Sequence, residues 1–408
     1  MKDYVALFII SIGLRLAAFA LIDIRFESDI FLFQFWASQM FHGGPANFYY
    51  ADFFSDYPPL YMYVLWVIGA IRHNLGFEYL SPQFNLLVFT PAIISDVITV
   101  LLIYSLSKQY FSRRHAFLIS FAYSVNPGVI LNSSIWGQVD AIHTLLLFLA
   151  LYAVSKKQTL PVYLLYGLAV LTKPQSLIVA PVFLYSAFYY YKEQNYSIKA
   201  ALTMFGYAAA TFLFMGLLSL PFGLQLVFEQ YFATMGQRPF ASINAYNFYA
   251  LTGGIWYNIT LFYAIVSFVA IIGVVCMTFW LLYRHWSGAA VFFTAALLYI
   301  TTFVFSVRMN ERYLFPALLF LLITAVLMQN KSDERLPILY VAFSATFFIN
   351  CLDVLLKNNG IHLFALGQIA SSAHRPIEGF IALISFLHVV LAIYTLKIGR
   401  DIRQWTEF

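Results

Sequence analysis

Residues 4–22, YVALFIISIGLRLAAFALI, form an apolar run of the length that crosses a bilayer, since about 20 helical residues span the ~30 Å hydrocarbon core. Comparable runs follow at 84–107, 115–133, 137–154, 160–172, 175–191, 200–221, 259–283, 289–307, 314–329, 336–355 and 380–397. Charged residues make up only 10% of the chain, too few to cover a water-facing surface that normally needs roughly 25%. The chain therefore reads as an all-α polytopic membrane protein with about twelve transmembrane helices. The first run is too long, and too lacking in a small-residue cleavage site, to be a removed signal peptide. Two cysteines, Cys276 and Cys351, form no CxxC pair and lie near no histidine cluster. That excludes a disulfide scaffold and argues against a zinc or redox site. The net charge of +5 comes from scattered basic residues, so no nucleic-acid partner is expected.

Lysine and arginine set the expected orientation. Lys2, Lys108, Arg113, Arg114, Lys156, Lys157, Lys192, Lys199, Arg284, Lys331, Arg335, Lys397, Arg400 and Arg403 fall in one set of connections. Placing these inside puts both termini in the cytoplasm. The outer side then holds three long connections, 23–83, 222–258 and 356–379, and most of the acids. Residues 59–73 are apolar but short. Letting them span would turn Arg113 and Arg114 outward, so they are expected to lie in the outer interface or re-enter the membrane. The first outer loop is thus long, aromatic and ordered, and loops of this length are usually functional. No soluble domain is appended, and no internal repeat is found.

Ionisable groups in or beside apolar spans are costly and mark function. Asp29 opens an amphipathic stretch running to Trp36, where it serves either as a helix cap or in catalysis. Asp56-Tyr57-Pro58-Pro59-Leu60 is a rigid turn that starts a helix, with any role of Asp56 added to it. In Trp136-Gly137-Gln138-Val139-Asp140-Ala141-Ile142-His143, Asp140 and His143 share one helix face at i and i+3. Together with Gln138 they exceed what capping needs. Lys173-Pro174-Gln175 divides a long apolar stretch; a 13-residue helix before it rises only about 20 Å, which sets Lys173 below the outer surface in a protein cavity. A snorkelling lysine is the alternative. Arg308 and Arg312, four apart, are expected to face the same way, with Glu311 orienting either, and two such arginines suit a phosphate. Gln237-Arg238, with Asn244 and Asn247, are candidates for contacting a hydroxyl-rich ligand. Asp96 is expected to make a helix–helix hydrogen bond.

Taken together, these motifs resemble the GT-C superfamily of membrane glycosyltransferases, which use polyprenyl-phosphate sugars. The likeness to dolichyl-phosphate-glucose glucosyltransferases rests on Asp29…Trp36, Asp56-Tyr57-Pro58-Pro59-Leu60, Ile94-Ser95-Asp96, Lys173-Pro174-Gln175 and Asn310-Glu311-Arg312. Trp136-Gly137-Gln138-Val139-Asp140 stands, in altered form, where that family has a histidine-rich motif. The variants Trp-Gly-Gln-Val-Asp, Thr-Lys-Pro-Gln and Arg-Met-Asn-Glu-Arg-Tyr look like bacterial mannosyltransferase-like membrane proteins. The likeness covers about residues 1–190 and again about 308–316, and little of 200–300 or 330–408.

The resemblance implies a GT-C fold with a long first outer loop bearing interfacial helices. It also implies a conserved module over 1–222 and a variable one over 223–408. It implies a hexosyltransferase that moves a mannose- or glucose-like sugar from a polyprenyl-phosphate donor by single-displacement inversion. Asp29 is then the base. Lys173, Arg308 and Arg312 bind the donor phosphate. Asp56, Gln138, Asp140, His143, Gln175 and Glu311 contact sugar or acceptor. The acceptor is a glycan, a lipid-linked glycan or a protein, and the other partners are membrane lipids. No resident cofactor is implied. Asp29 and Asp140 could share a divalent metal, but Lys173 and the arginines can supply the charge instead, which makes a metal requirement doubtful. The expected setting is a bacterial plasma membrane with the active site facing outside. The rival reading is a flippase or transporter for lipid-linked sugars, since midplane charges and broken helices also suit transporters.

Overall fold

The apolar runs named above fold mostly as helix, and many of the helices start at Ser, Asn, Thr or Pro. The computed structural model describes residues 1–408 except 51–52, 237, 330–333, 363–367, 370–376 and 402–408. Gln237, Lys331, Arg403 and part of the 356–379 connection therefore lie outside the described residues. The chain runs through α1 (Lys2–Leu21), α2 (Glu27–Phe48), α3 (Pro59–Leu75), α4 (Pro82–Ser107), α5 (Arg113–Ser124) and α6 (Pro127–Ile130). It continues through α7 (Asp140–Ser155), α8 (Leu160–Thr172), α9 (Ala180–Glu193), α10 (Ile198–Ser219), α11 (Leu224–Gly236) and α12 (Phe248–Leu251). It ends with α13 (Leu261–Arg284), α14 (Gly288–Phe305), α15 (Phe315–Leu327), α16 (Arg335–Asn358) and α17 (Gly379–Asp401). Before α17, a two-residue antiparallel ladder joins Gln368–Ile369 to Ile377–Glu378.

Among the described residues, 7 helices are long and apolar enough to cross a membrane: α1, α4, α10 extended to Phe222, α13, α14, α16 and α17. The chain is an integral membrane protein. Two of the remaining apolar stretches are divided by breaks in the backbone. Asn126-Pro127 and a π-helical turn at Leu131–Ile135 divide the run at 115–133. Lys173-Pro174 separates α8 from a 3-10 turn, Pro174–Val179, that leads into α9.

The core is inverted relative to a soluble protein in one respect: apolar side chains cover the outside too. Leu202, Phe205, Phe212 and Leu213 on α10 and Phe262, Phe268 and Val269 on α13 are largely exposed, as lipid-facing residues are. At the centre, α14 is buried over 89% of its apolar window. Its Ala289, Ala290, Ala295 and Ala296 let α13, α15 and α17 approach closely. The buried charges between α1 and α4 are paired with each other. Asp96 on α4 meets Arg15 on α1 at 3.1 Å, both fully buried, and Arg15 also donates to Ser11 Oγ at 2.8 Å. The helix–helix hydrogen bond expected of Asp96 is an ion pair whose arginine partner lies 81 residues earlier.

The first outer loop folds as the α2–α3 hairpin. α3, the short apolar segment at 59–73, packs along α2. Gly69 makes this possible: a Cβ there would come within 2.1 Å of the Ala37 carbonyl oxygen. Gly69→Ala is expected to force the two helices apart. Overpacking of this kind costs about 1–3 kcal/mol, so the variant's melting temperature in detergent should fall by several degrees. An unchanged melting temperature would show that the hairpin absorbs the methyl group.

Candidate active site

α2 brings Asp29 to the site. Its N-cap is Phe26 and no side chain caps this end, so the capping role considered for Asp29 is not what its carboxylate does. Trp136 Nε1 and Gln138 Nε2 donate to Asp29 Oδ2 at 3.1 and 2.8 Å. Arg312 Nη1 stands 3.6 Å from the same oxygen. Three donors thus converge on Oδ2, and Oδ1 has no partner among the described residues. The side chain keeps 25% of its exposure, so Oδ1 is reachable.

Irregular backbone puts those donors in place. Asn126 caps α6 by accepting from Gly128 N at 3.0 Å. The turn at Leu131–Ile135 then widens to a π-helix, a rare conformation that concentrates at functional sites. Trp136 N donates to Leu131 O and Gln138 N to Asn132 O, both at 2.9 Å. Gly137 adopts φ 73 beneath the Phe89 ring, where a Cβ would come within 2.1 Å. Trp136 stacks on Phe26 with ring centroids 4.7 Å apart, which fixes the indole N–H toward Asp29. Neither the wide turn nor Trp136 as a donor was foreseen; an Asn-Pro followed by Trp-Gly inside an apolar run was the available signal.

Lys173 lies between α8 and Pro174, with extended backbone. Its Nζ sits 2.5 Å from Asp140 Oδ1, and the two side chains are 4% and 1% exposed. His143 Nε2 is 3.6 Å from that oxygen, and Asn132 Nδ2 donates to Asp140 Oδ2 at 3.4 Å. Ser176 Oγ lies 3.3 Å from His143 Nδ1. The shared face expected for Asp140 and His143 is therefore present, and it points at Lys173 in the protein interior. Lys173 Nζ also stands 5.5 Å over the Tyr313 ring, a favourable cation–π geometry.

The arginine segment differs from its expected form. Arg308 and Arg312 do not share a helix face. Arg308 has φ 66 and precedes Met309, whose carbonyl accepts from Ile243 N at 3.0 Å in a short bridge to the second outer loop. Arg312 lies in the 3-10 turn Glu311–Leu314. Its Nη1 donates to Glu311 Oε1 at 3.0 Å, and its guanidinium lies 5.8 Å over the Trp136 ring. Among the described residues, Glu311 is paired with Arg312. Burial pushes the Glu311 carboxyl above its usual range, against the pull of Arg312.

A cavity of about 260 Å³ unites these segments. Lys173, Gln175, Arg308, Arg312 and Asp56 line it, together with Tyr57, Tyr231, Arg238, Asn310 and Tyr313. Asp56 is held there by its neighbours: Gln230 donates to Ser55 O, and Tyr49 OH donates to Tyr57 O at 2.7 Å. Burial raises the Asp56 carboxyl, with Arg312 and Arg238 opposing. Gln138, Asp140, His143 and Glu311 do not line the cavity. They are 1% exposed or less and stand behind it, gripping Asp29, Lys173 and Arg312, so the direct sugar or acceptor contact expected of them is not available. Asp29 is likewise off the cavity wall and reaches it across Arg312. Asn244 and Asn247 are structural: Asn247 caps α12, and the Asn244 carbonyl accepts from Asn350 Nδ2 at 3.0 Å. Tyr231 was not foreseen; its hydroxyl donates to Val170 O at 2.8 Å and ties amphipathic α11 to the end of α8. Among the described residues no group of three or more His, Cys, Asp or Glu side chains gathers in a way that could hold a metal ion.

Residues 56–219 match the family model described as dolichyl-phosphate-mannose-protein mannosyltransferase. The match begins at Asp56 and takes in Gln138, Asp140, His143 and Lys173. The chain resembles the GT-C membrane glycosyltransferases in this stretch as it does in its motifs. No curated protein matches the chain. Among solved structures, it is similar to the oligosaccharyltransferase of Archaeoglobus fulgidus in its apo form, at 14% identity and TM-score 0.46 over 98% of this chain. The same archaeal enzyme tethered to an acceptor peptide matches at 16% identity and TM-score 0.39, again over 98% of this chain and 55% of the other. Its complex with an inhibitory peptide and a dolichol-phosphate matches at 14% identity and TM-score 0.41, over 98% of this chain and 56% of the other. The chain spans about half the length of these archaeal chains, 55% of the apo form.

Proposed function

We propose that the protein is a glycosyltransferase that moves a hexose from a polyprenyl-phosphate sugar to an acceptor hydroxyl on the outer side of the membrane. The observation that carries this reading is Arg312, which joins a half-open carboxylate to a cationic cavity. On one side it holds Asp29 Oδ2, leaving Oδ1 open; on the other it lines the cavity with Lys173, Arg308 and Arg238. A phosphate in the cavity would sit among charge-assisted donors, the strong class of hydrogen bond.

The chemistry then balances as a single displacement. Asp29 Oδ1 takes the proton of the acceptor hydroxyl. The acceptor oxygen bonds to the anomeric carbon as the bond from that carbon to the phosphate oxygen breaks, and the electron pair leaves with the polyprenyl phosphate. The arginines and lysine stabilise that developing charge. Asp140 and Glu311 are each tied to a cation and fully buried, whereas Asp29 keeps one carboxylate oxygen open and part of its side chain exposed, which favours Asp29 as the base. One displacement inverts the anomeric centre. The mannose-like or glucose-like identity of the sugar, the glycan, lipid-linked or protein acceptor, the bacterial plasma membrane and the cytoplasmic termini belong to the same proposal. The lysine and arginine distribution and the family match over 56–219 support it.

A flippase for lipid-linked sugars is the second reading, favoured by the broken helices at Pro127 and Pro174. Purified protein given a synthetic polyprenyl-phosphate hexose and membranes as acceptor source separates the two. Transfer predicts that free polyprenyl phosphate appears as sugar joins the acceptor. Intact donor after prolonged incubation would favour the flippase.

A further inference from the structure

We infer that Asn132 is a positioning residue that keeps the proton-accepting and phosphate-binding arms of the site in register; this rests on the transferase reading above. Asn132 is 1% exposed and sits second in the π-helical turn Leu131–Ile135. In a regular α-helix its carbonyl would accept from Trp136 N, four residues on. Here Trp136 N donates to Leu131 O instead, one residue further back, at 2.9 Å. That shift releases the Asn132 carbonyl, which accepts from Gln138 N at 2.9 Å. The Gln138 side chain then donates to Asp29 at 2.8 Å. The other end of Asn132 faces the second arm: Nδ2 donates to Asp140 Oδ2 at 3.4 Å, while Asp140 Oδ1 holds Lys173. One residue thus touches both arms, through its backbone toward Asp29 and through its side chain toward Lys173, without reaching the cavity itself.

The side chain is the part that substitution can change. Asn132→Leu keeps the size and removes the donor, leaving Asp140 Oδ2 unsatisfied in a buried site. Loss of one hydrogen bond to a charged group translates to about 10–100-fold. Turnover should fall by that factor and polyprenyl-phosphate affinity should weaken, in a protein that still folds but melts some degrees lower.

Asn132→Asp gives the signature that packing alone would not. Its carboxyl donates to Asp140 only when protonated, so its rate relative to the parent protein should recover as pH falls, while Asn132→Leu stays low throughout. The charged and titratable groups around this turn are Asp140 and His143 on α7, Lys173 after α8, and the Arg15–Asp96 pair on α1 and α4. All are shared with the parent protein, so the ratio reports the new carboxyl together with its coupling to Asp140 and His143. A folded Asn132→Leu protein with unchanged turnover and affinity would overturn the inference. So would an Asn132→Asp ratio that stays flat with pH. If the parent protein transfers no sugar, the transferase reading falls by itself. Polyprenyl-phosphate affinity of the same variants then decides the link from Asn132 to Lys173.

Discussion

Asp29→Asn is expected to abolish sugar transfer while the protein still folds and still binds polyprenyl phosphate. Asparagine can keep Oδ1 where Oδ2 now stands and go on accepting from Trp136 and Gln138. What it loses is the ability to take a proton at the open position. General-base catalysis contributes about 10²–10⁴-fold, so the rate should fall by at least two orders of magnitude. Phosphate binding should change far less, because Lys173, Arg308 and Arg312 remain on the cavity wall. Turnover and polyprenyl-phosphate affinity measured side by side check this. Near-normal turnover in a folded Asp29→Asn protein would remove Asp29 as base and turn attention to Asp56, the carboxylate on the cavity wall.

The second large effect belongs to the Asp140–Lys173 pair. Lys173→Met removes a phosphate ligand and leaves the Asp140 carboxylate buried without its cation. Breaking a buried pair costs about 3–5 kcal/mol, whereas replacing both partners with apolar residues is often neutral. Lys173→Met should therefore lose both activity and thermal stability. Asp140→Leu combined with Lys173→Met should regain much of the stability and none of the activity. That divergence separates the structural contribution of the pair from its role in holding the donor. Recovery of transfer in the double variant would show that Lys173 serves only to neutralise Asp140.

Much of this arrangement was legible in the sequence, and its limits have physical causes. Asp29, Asp56, Lys173 and Arg312 stood out because charge is expensive in apolar surroundings; the structure puts Asp56, Lys173 and Arg312 on one cavity wall, with Asp29 behind it against Arg312. The roles of their neighbours were harder to read. Asp140 and His143 were found by helical periodicity, which says that they share a face and not what that face meets; it meets Lys173. Arg308 was expected from its spacing to face the same way as Arg312, but Arg308 adopts φ 66 and Met309 bridges to Ser242 in the second outer loop. The π-helical turn at Leu131–Ile135 was not read from the sequence, because its width is set by Trp136 N and Gln138 N bonding back to Leu131 O and Asn132 O, contacts that no local pattern announces. Arg15 lay within the first apolar run and became meaningful only when α4 placed Asp96 beside it. Tyr231 entered the site through α11, which the sequence presented as part of a long connection, and Arg238, a candidate from the sequence, lines the cavity just beyond that helix. The break at Lys173-Pro174 was legible, since α8 spans Leu160–Thr172 as expected, whereas the run at 115–133 hid the break at Asn126-Pro127.

The account stands or falls on whether this protein breaks the bond between sugar and polyprenyl phosphate. The most direct measurement uses proteoliposomes carrying a donor with one isotope on the hexose and another on the lipid, with acceptor membranes from cells lacking the protein. Glycosyl transfer predicts that the hexose label moves to the acceptor and an equal amount of labelled polyprenyl phosphate remains, with neither change in the Asp29→Asn protein. Movement of both labels together from one leaflet to the other, with the donor intact, would contradict it.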